Sequence, residues 1–293
     1  MSFGGREELV SDVPKESGGQ RPAGMARRWT FAVLALAFLF VLMPFLFWQS
    51  TWFGRPLTDE EIGRELADAG HPRKTQHALS QIADRIVARD PTATRWYPQV
   101  VVLSKHKAEE IRLTAAWVMG QDNTSSEFHQ ALLGLRQDRN PMVRRNAALS
   151  LVRFADAAGR AEIIAMLRPY PVQVERDGTL APRLKAGDAV NVGTLLGRLK
   201  TGETETEIRA QVPGVVERWV AQQGAGVKAG DEIVLISPSP AVVWEALRAL
   251  VLIGTPDDLP DVERYIHPVE GMPDLVRQQA QLTARAIRSR AQR

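Results

Sequence analysis

Two stretches, Gly187-Asp-Ala-Val-Asn-Val-Gly193 and Gly224-Ala-Gly-Val-Lys-Ala-Gly230, share the spacing Gly-x-x-Val-x-x-Gly. The likeness extends outward: Gly178, Gly187, Val190, Gly193 and Leu199 recur as Gly214, Gly224, Val227, Gly230 and Ile236, at an offset of 36 to 37 residues. Between Val172 and Ser237 short β-rich runs alternate with Gly-Asp and Pro-Gly turns, which is the pattern of strands. The glycines supply the turns, because positive φ is cheap only for Gly, and the valine between them is expected to be buried. The spacing predicts a small β domain over 171–238, built from two copies of one unit.

On either side of it the apolar period is helical. From Thr58 to Arg168 the chain repeats itself: Ile111, Arg112, Ala115 and Ala116 are followed 32 residues later by Val143, Arg144, Ala147 and Ala148. Leu132 and Leu135 match Ile164 and Leu167 at the same offset. Asn140 and Pro141 sit where a helix should start, with Pro at the first helical position. After the β segment, Ala246, Leu247 and Leu250 resume the pattern, and Pro273, Val276, Arg277 and Ala280 restart the unit. A helix pair leaves an apolar face that only a neighbouring pair can cover, so residues 239–293 are expected to stack on 57–170.

Both regions resemble known families. Asp138 to Leu151, read as Asp-x-Asn-Pro-x-Val-Arg-x-x-Ala-Ala-x-x-Leu, resembles the short bacterial form of the HEAT repeat. The doubled β segment resembles the biotinyl/lipoyl-like barrel-sandwich hybrid, with Ile208 to Val216 similar to that family's entry strand of the second half and Gly224 to Ile236 to its return. In the resembled carriers a lysine at the tip of the hairpin joining the halves receives biotin or lipoate. Here the tip reads Gly202, Glu203, Thr204, Glu205, Thr206; counting back from Gly214 puts Glu203 near the carrier position, and Lys200 falls about three residues early. A carboxylate cannot form the amide that holds such a group. The resemblance therefore implies the noncatalytic branch, the lipoyl-like domains of membrane-fusion (periplasmic adaptor) proteins, although the long helical hairpin those adaptors insert is here only Lys200 to Glu207.

Trp29 to Gly54 is an uncharged run of 26 residues. At about 1.5 Å per residue it is long enough for a hydrocarbon core of roughly 30 Å, so a single transmembrane helix is expected at 29–54, with Trp29, Trp48 and Trp52 as interfacial aromatics and a bend near Pro44. Lys15, Arg21, Arg27 and Arg28 on one side against Arg55 and Arg64 on the other put the N-terminus inside. The expected placement is the inner (cytoplasmic) membrane, single-pass, with the C-terminal body periplasmic. Residues 1–28, rich in Gly, Ser and Pro, read as a disordered tail. The whole expected fold class is α+β: one transmembrane helix, then a HEAT-like α-solenoid interrupted by a small β barrel-sandwich hybrid.

Thirty-seven basic against 34 acidic side chains leave a net charge of only +3, which gives no broad footprint for nucleic acid. The cluster Arg277, Arg285, Arg288, Arg290 and Arg293 reads as a solvated last helix whose cations suit its C-terminal dipole. Near-motifs fail on spacing or context. Gly193, Gly197, Lys200 and Thr201 lack the glycine directly before lysine that a phosphate loop needs, and Gly224, Gly226 and Gly230 have no βαβ unit around them. His71, His77, His106, His129 and His267 are scattered without metal spacing, and Glu203, Glu205 and Glu207 read as a solvated acidic hairpin. No catalytic, cofactor-binding or metal-ligating residue is nominated, and neither a cofactor nor a small-molecule substrate is expected. The expected function is a membrane-anchored, non-catalytic scaffold or accessory subunit that docks protein partners, within a larger membrane complex, through the solenoid and a lipoyl-like module lacking the carrier lysine. The alternatives are an envelope adaptor for an inner-membrane transporter, and a biotin or lipoate carrier or lyase-type enzyme subunit.

Overall fold

The computed structural model describes residues 33–34, 36–43, 56–68 and 70–292. The chain divides into two units at Pro56/Leu57, and the second holds every element numbered below.

In that unit the fold is α+β, a helical region with a small β domain set into it. Among the described residues of this unit, seven helices precede the β domain: α1 (Asp59–Ala67), α2 (Pro72–Val87), α3 (Tyr97–Leu103), α4 (Glu109–Met119), α5 (Ser126–Leu135), α6 (Pro141–Arg153) and α7 (Arg160–Ala165). Three follow it: α8 (Pro240–Ile253), α9 (Leu259–Glu263) and α10 (Asp274–Ala291). Their starts are written in the sequence. Thr58 and Glu61 close a capping box on α1, and Ser125 accepts from the Phe128 N–H at the head of α5. The Asn140 side chain accepts from the N–H groups of Met142 and Val143, with Pro141 at the first helical position as its sequence implies.

The longer helices α2, α4, α6, α8 and α10 pack each on the last, and the shorter helices lie against them. One contact recurs from unit to unit. The Arg112 guanidinium donates to the carbonyls of His106 and Lys107 and pairs with Asp138; the Arg144 guanidinium donates to the carbonyls of Asp138 and Arg139 and pairs with Glu162. Small residues set the helix spacing. A Cβ on Gly159 would lie 2.6 Å from the Ala148 Cα, and Ser150 Oγ donates to the Ala116 carbonyl at 2.9 Å. One apolar cluster fills α1 to α6. A second joins Ala148, Val152, Ile163 and Leu167 to Val243, Ala246, Leu247 and Ala280, so the helices before and after the β domain share a core.

The β domain has eight strands: β1 (Tyr170–Gln173), β2 (Gly178–Pro182), β3 (Ala189–Val190), β4 (Leu195–Thr201), β5 (Thr204–Arg209), β6 (Gly214–Trp219), β7 (Gly226–Val227) and β8 (Glu232–Pro238). They form two four-stranded antiparallel sheets, ordered β1-β8-β6-β3 and β5-β4-β2-β7. Advancing every strand by four converts one order into the other, the structural image of the doubled sequence. The turn bonds repeat too. Gly187 N–H donates to the Val216 carbonyl and Gly224 N–H to that of Leu180, both at 2.8 Å; Gly193 and Gly230 donate likewise to Ala210 and Val174. These four glycines have φ between +78° and +92°, where a Cβ is strained. Gly178 and Gly214 are needed for closeness instead, since a Cβ there would lie 2.8 Å from the Lys200 carbonyl oxygen and 2.1 Å from that of Ser237. Val190 and Val227 are buried with Val172, Leu180, Leu199, Val216 and Ile236 between the sheets.

The expected transmembrane helix is corrected. No helix among the described residues is long and apolar enough to cross a membrane. Within 29–54 the described residues are 33–34 and 36–43, which are helical. Residues Trp29, Pro44, Trp48 and Trp52 lie outside the described residues, as does the tail read at 1–28. The membrane and transmembrane assignments fall with that helix, and so does placement of the chain as a single-pass inner-membrane protein with a periplasmic body. An uncharged run of sufficient length is a necessary condition for a span and not a sufficient one.

Candidate functional site

The chemistry expected of such a β domain sits at the hairpin joining its halves. β4 and β5 pair from Leu195/Arg209 to Thr201/Thr204, leaving Gly202 and Glu203 as a two-residue turn. Gly202 has φ +61° and Glu203 is not among the residues with positive φ, the combination of a type II′ turn, which matches strand twist. Thr204 Oγ1 donates to the Thr201 carbonyl at 2.8 Å, and Thr201 Oγ1 donates to the Asp177 carbonyl at 2.7 Å, tying the hairpin to the β2 approach.

The register places Lys200 opposite Glu205 and Arg198 opposite Glu207, so these four share one face. Glu203 stands in the turn rather than on that face. The acids have cations beside them: Arg198 lies 3.5 Å from Glu205, and Arg209 lies 2.6 Å from Glu207. All are exposed, and such pairs contribute little to stability. Among the described residues no group of three His, Cys, Asp or Glu side chains could hold a metal ion.

A biotin or lipoate group needs an amine at the turn. The turn offers a glycine and a carboxylate, and Lys200 lies below it on β4, with Thr201 and Thr204 between. The turn residues do not fit an amide-linked group.

The helical region fixes where this hairpin points. Gly193, Arg209 and Gln211 share a cleft of about 490 Å³ with Glu109, Asn140 and Pro141. From Arg209, β5 runs back to the turn over five residues, so at about 3.4 Å per residue the tip stands roughly 17 Å further out along the strand. Met142 of α6 packs into the β core, and the Arg145 guanidinium lies 5.8 Å from the centre of the Tyr170 ring on β1. Burial pushes Arg145 below the ordinary arginine range, partly offset by Glu162, whose Oε1 is 3.9 Å from its Nε; burial also raises the Tyr170 phenol. Arg145 Nε and Nη1 have no hydrogen-bond partner. The sequence marks Arg144 as a repeat position and gives no signal for this seat at its neighbour, Arg145.

The remaining candidates resolve into local structure. His129 Nε2 is 2.7 Å from Asp156, His71 Nδ1 is 2.8 Å from Asp68, and His106 Nδ1 accepts from the Ala108 N–H. Arg277 pairs with Asp274 and Arg288 with Glu263, while Arg290 donates to the carbonyls of Val251 and Gly254, the orphan acceptors at the end of α8. The arginines of α10 are thus drawn to separate partners and do not converge on one site.

With this geometry in view, the comparisons with known proteins divide the chain. The biotin/lipoyl family model, described as "Biotin-requiring enzyme", matches residues 166–236. This part of the chain is a biotin/lipoyl-type domain. No curated protein matches the chain. Solved structures with local similarity include the urea carboxylase of Kluyveromyces lactis, at 26% identity over 24% of this chain and 6% of that one, with a TM-score of 0.23. Another is a single-chain, multi-domain long-chain acyl-CoA carboxylase, at 20% identity over 42% of this chain and 14% of that one, also with a TM-score of 0.23. This chain thus spans at most about a seventh of those structures, and at that TM-score neither assigns it a fold or an activity.

Proposed function

We propose that this protein is a non-catalytic interaction subunit in which a biotin/lipoyl-type domain serves as a rigid docking element and carries no group. The observation that carries this reading is the hairpin turn: its two residues are Gly202 and Glu203, and neither offers the amine an amide linkage requires. The rest of the domain keeps its doubled glycine turns and closed core, so the scaffold is retained while the attachment point is not. The recurring Arg112 and Arg144 contacts support a HEAT-type reading of the helices, and stacked helix pairs present extended faces suited to binding other proteins. The adaptor alternative relied on a membrane span and is set aside with it.

Site-specific photo-crosslinking tests the proposal. A photoreactive residue in place of Glu203 is expected to give a discrete protein adduct in the native host that the same residue placed at Val87, an exposed position on α2, does not give. The absence of any adduct from Glu203 would overturn it. One observation favours a second reading, a carrier that uses Lys200: the matching family model is that of biotin-requiring enzymes, and Lys200 is exposed near the turn.

A further inference from the structure

Between α4, α6 and α8 the long-helix layer bears a groove of about 470 Å³ whose apolar lining includes Trp117, Leu149, Ala249 and Leu252. Trp117 is 44% exposed and Leu252 is 64% exposed, a cost in unburied apolar area that the fold itself does not recover. Arg153 and Arg248 also line it, from α6 and α8. Neither has an acidic partner among the described residues. Arg153 donates to Gln121 Oε1 at 3.2 Å, and the Arg248 guanidinium rests 4.6 Å from the centre of the Trp244 ring, which limits its freedom before any partner arrives. Glu245, one turn before Arg248, is the lone acid in the lining and leaves the groove with a positive balance.

We propose that this groove binds a short amphipathic helix of a partner protein, its apolar row on Trp117, Leu149 and Leu252 and flanking carboxylates on Arg153 and Arg248. Length and charge argue for that occupant. Three neighbouring helices spaced about 8–10 Å apart make a trough of roughly 20 Å, the length of about 13 helical residues, and such a helix lays anchors at i, i+3/i+4 and i+7 into an apolar groove. Covering two exposed arginines that share only Glu245 as an acid in the lining would be unfavourable under an uncharged or basic partner and favourable under an acidic one. The proposal rests on the interaction reading above and narrows it to one surface on the helical region, away from the hairpin.

The test uses the whole chain and two synthetic helical peptides that share one leucine row, one flanked by glutamates and the other by lysines, with binding followed by fluorescence anisotropy. The glutamate peptide should bind at least about tenfold more tightly, with affinity falling as salt rises. The double variant Arg153→Glu/Arg248→Glu should reverse the preference, and Leu252→Asp should weaken binding about tenfold without moving the unfolding midpoint, since all three side chains are exposed. Equal binding of the two peptides, no binding of either, or indifference to the double variant would each overturn the groove. A crosslink from position 203 that persists in the double variant would leave the interaction reading intact even then, so the two failures are distinguishable.

Discussion

Arg112 and Asp138 illustrate how much one pair of side chains fixes. Both side chains are about 8% exposed and meet through two hydrogen bonds, at 2.6 and 2.9 Å. Burial pushes the Asp138 carboxyl up, yet the Arg112 guanidinium and the Asn140 N–H outweigh it and hold it below the usual carboxylate range, while the same hydrogen bond raises Arg112. A carboxylate with a lowered folded pKa adds stability that is present above its unfolded value near pH 3.9 and is lost as pH falls through the folded value. Asp138→Asn leaves a buried guanidinium without its counter-charge and should cost about 3 kcal/mol in denaturant unfolding at neutral pH, with a shallower loss of stability below about pH 4. Gly214→Ala should cost at least about 1–3 kcal/mol, because its new Cβ would drive against the Ser237 carbonyl and part β6 from β8. Ala148→Leu is expected to lose a similar amount by overpacking against Gly159, measured as a lower midpoint of thermal unfolding.

At the scale of elements, the doubled glycines made the β domain legible because each marks a place where a Cβ is forbidden, either by positive φ or by a carbonyl across the sheet. The sequence bounds the hairpin tip to Gly202–Thr206, and the strand register narrows the turn to Gly202 and Glu203. Helix starts were legible for a comparable reason, since Asn140-Pro141 satisfies or removes the first N–H groups of α6. Arg145 was not legible. A charged side chain in a helix normally faces water, and nothing local says that Tyr170 of an inserted domain will cover it. The groove was equally hidden, because Trp117 and Leu252 look like core residues until the neighbouring helices are in place. The apolar run at 29–54 misled for a related reason, as hydrophobicity measures a preference for leaving water and does not name what the segment leaves water for. The hairpin lies beyond the core, so Glu203→Ala should change unfolding free energy by no more than about 0.5 kcal/mol.

Across the whole second unit, continuity of the core is the organising feature. Ala148, Val152, Ile163 and Leu167 share one apolar cluster with residues of α8 and α10 even though some 70 residues of β domain intervene, and Tyr265 Oη donates to the Leu167 carbonyl at 2.7 Å. Ending the chain after Pro238 should bare that apolar surface and give a broadened, less cooperative unfolding transition with binding of an apolar dye. The inserted domain enters and leaves on neighbouring strands, with Tyr170 opposite Ile236, which is how the helical region can hold it without breaking its own packing. The central claim concerns what that domain does, and the intact mass of the full chain, purified from its native host, tests it most directly. An unmodified Lys200 is the predicted result; a biotinyl or lipoyl adduct on that lysine would contradict the docking reading and make the domain a carrier.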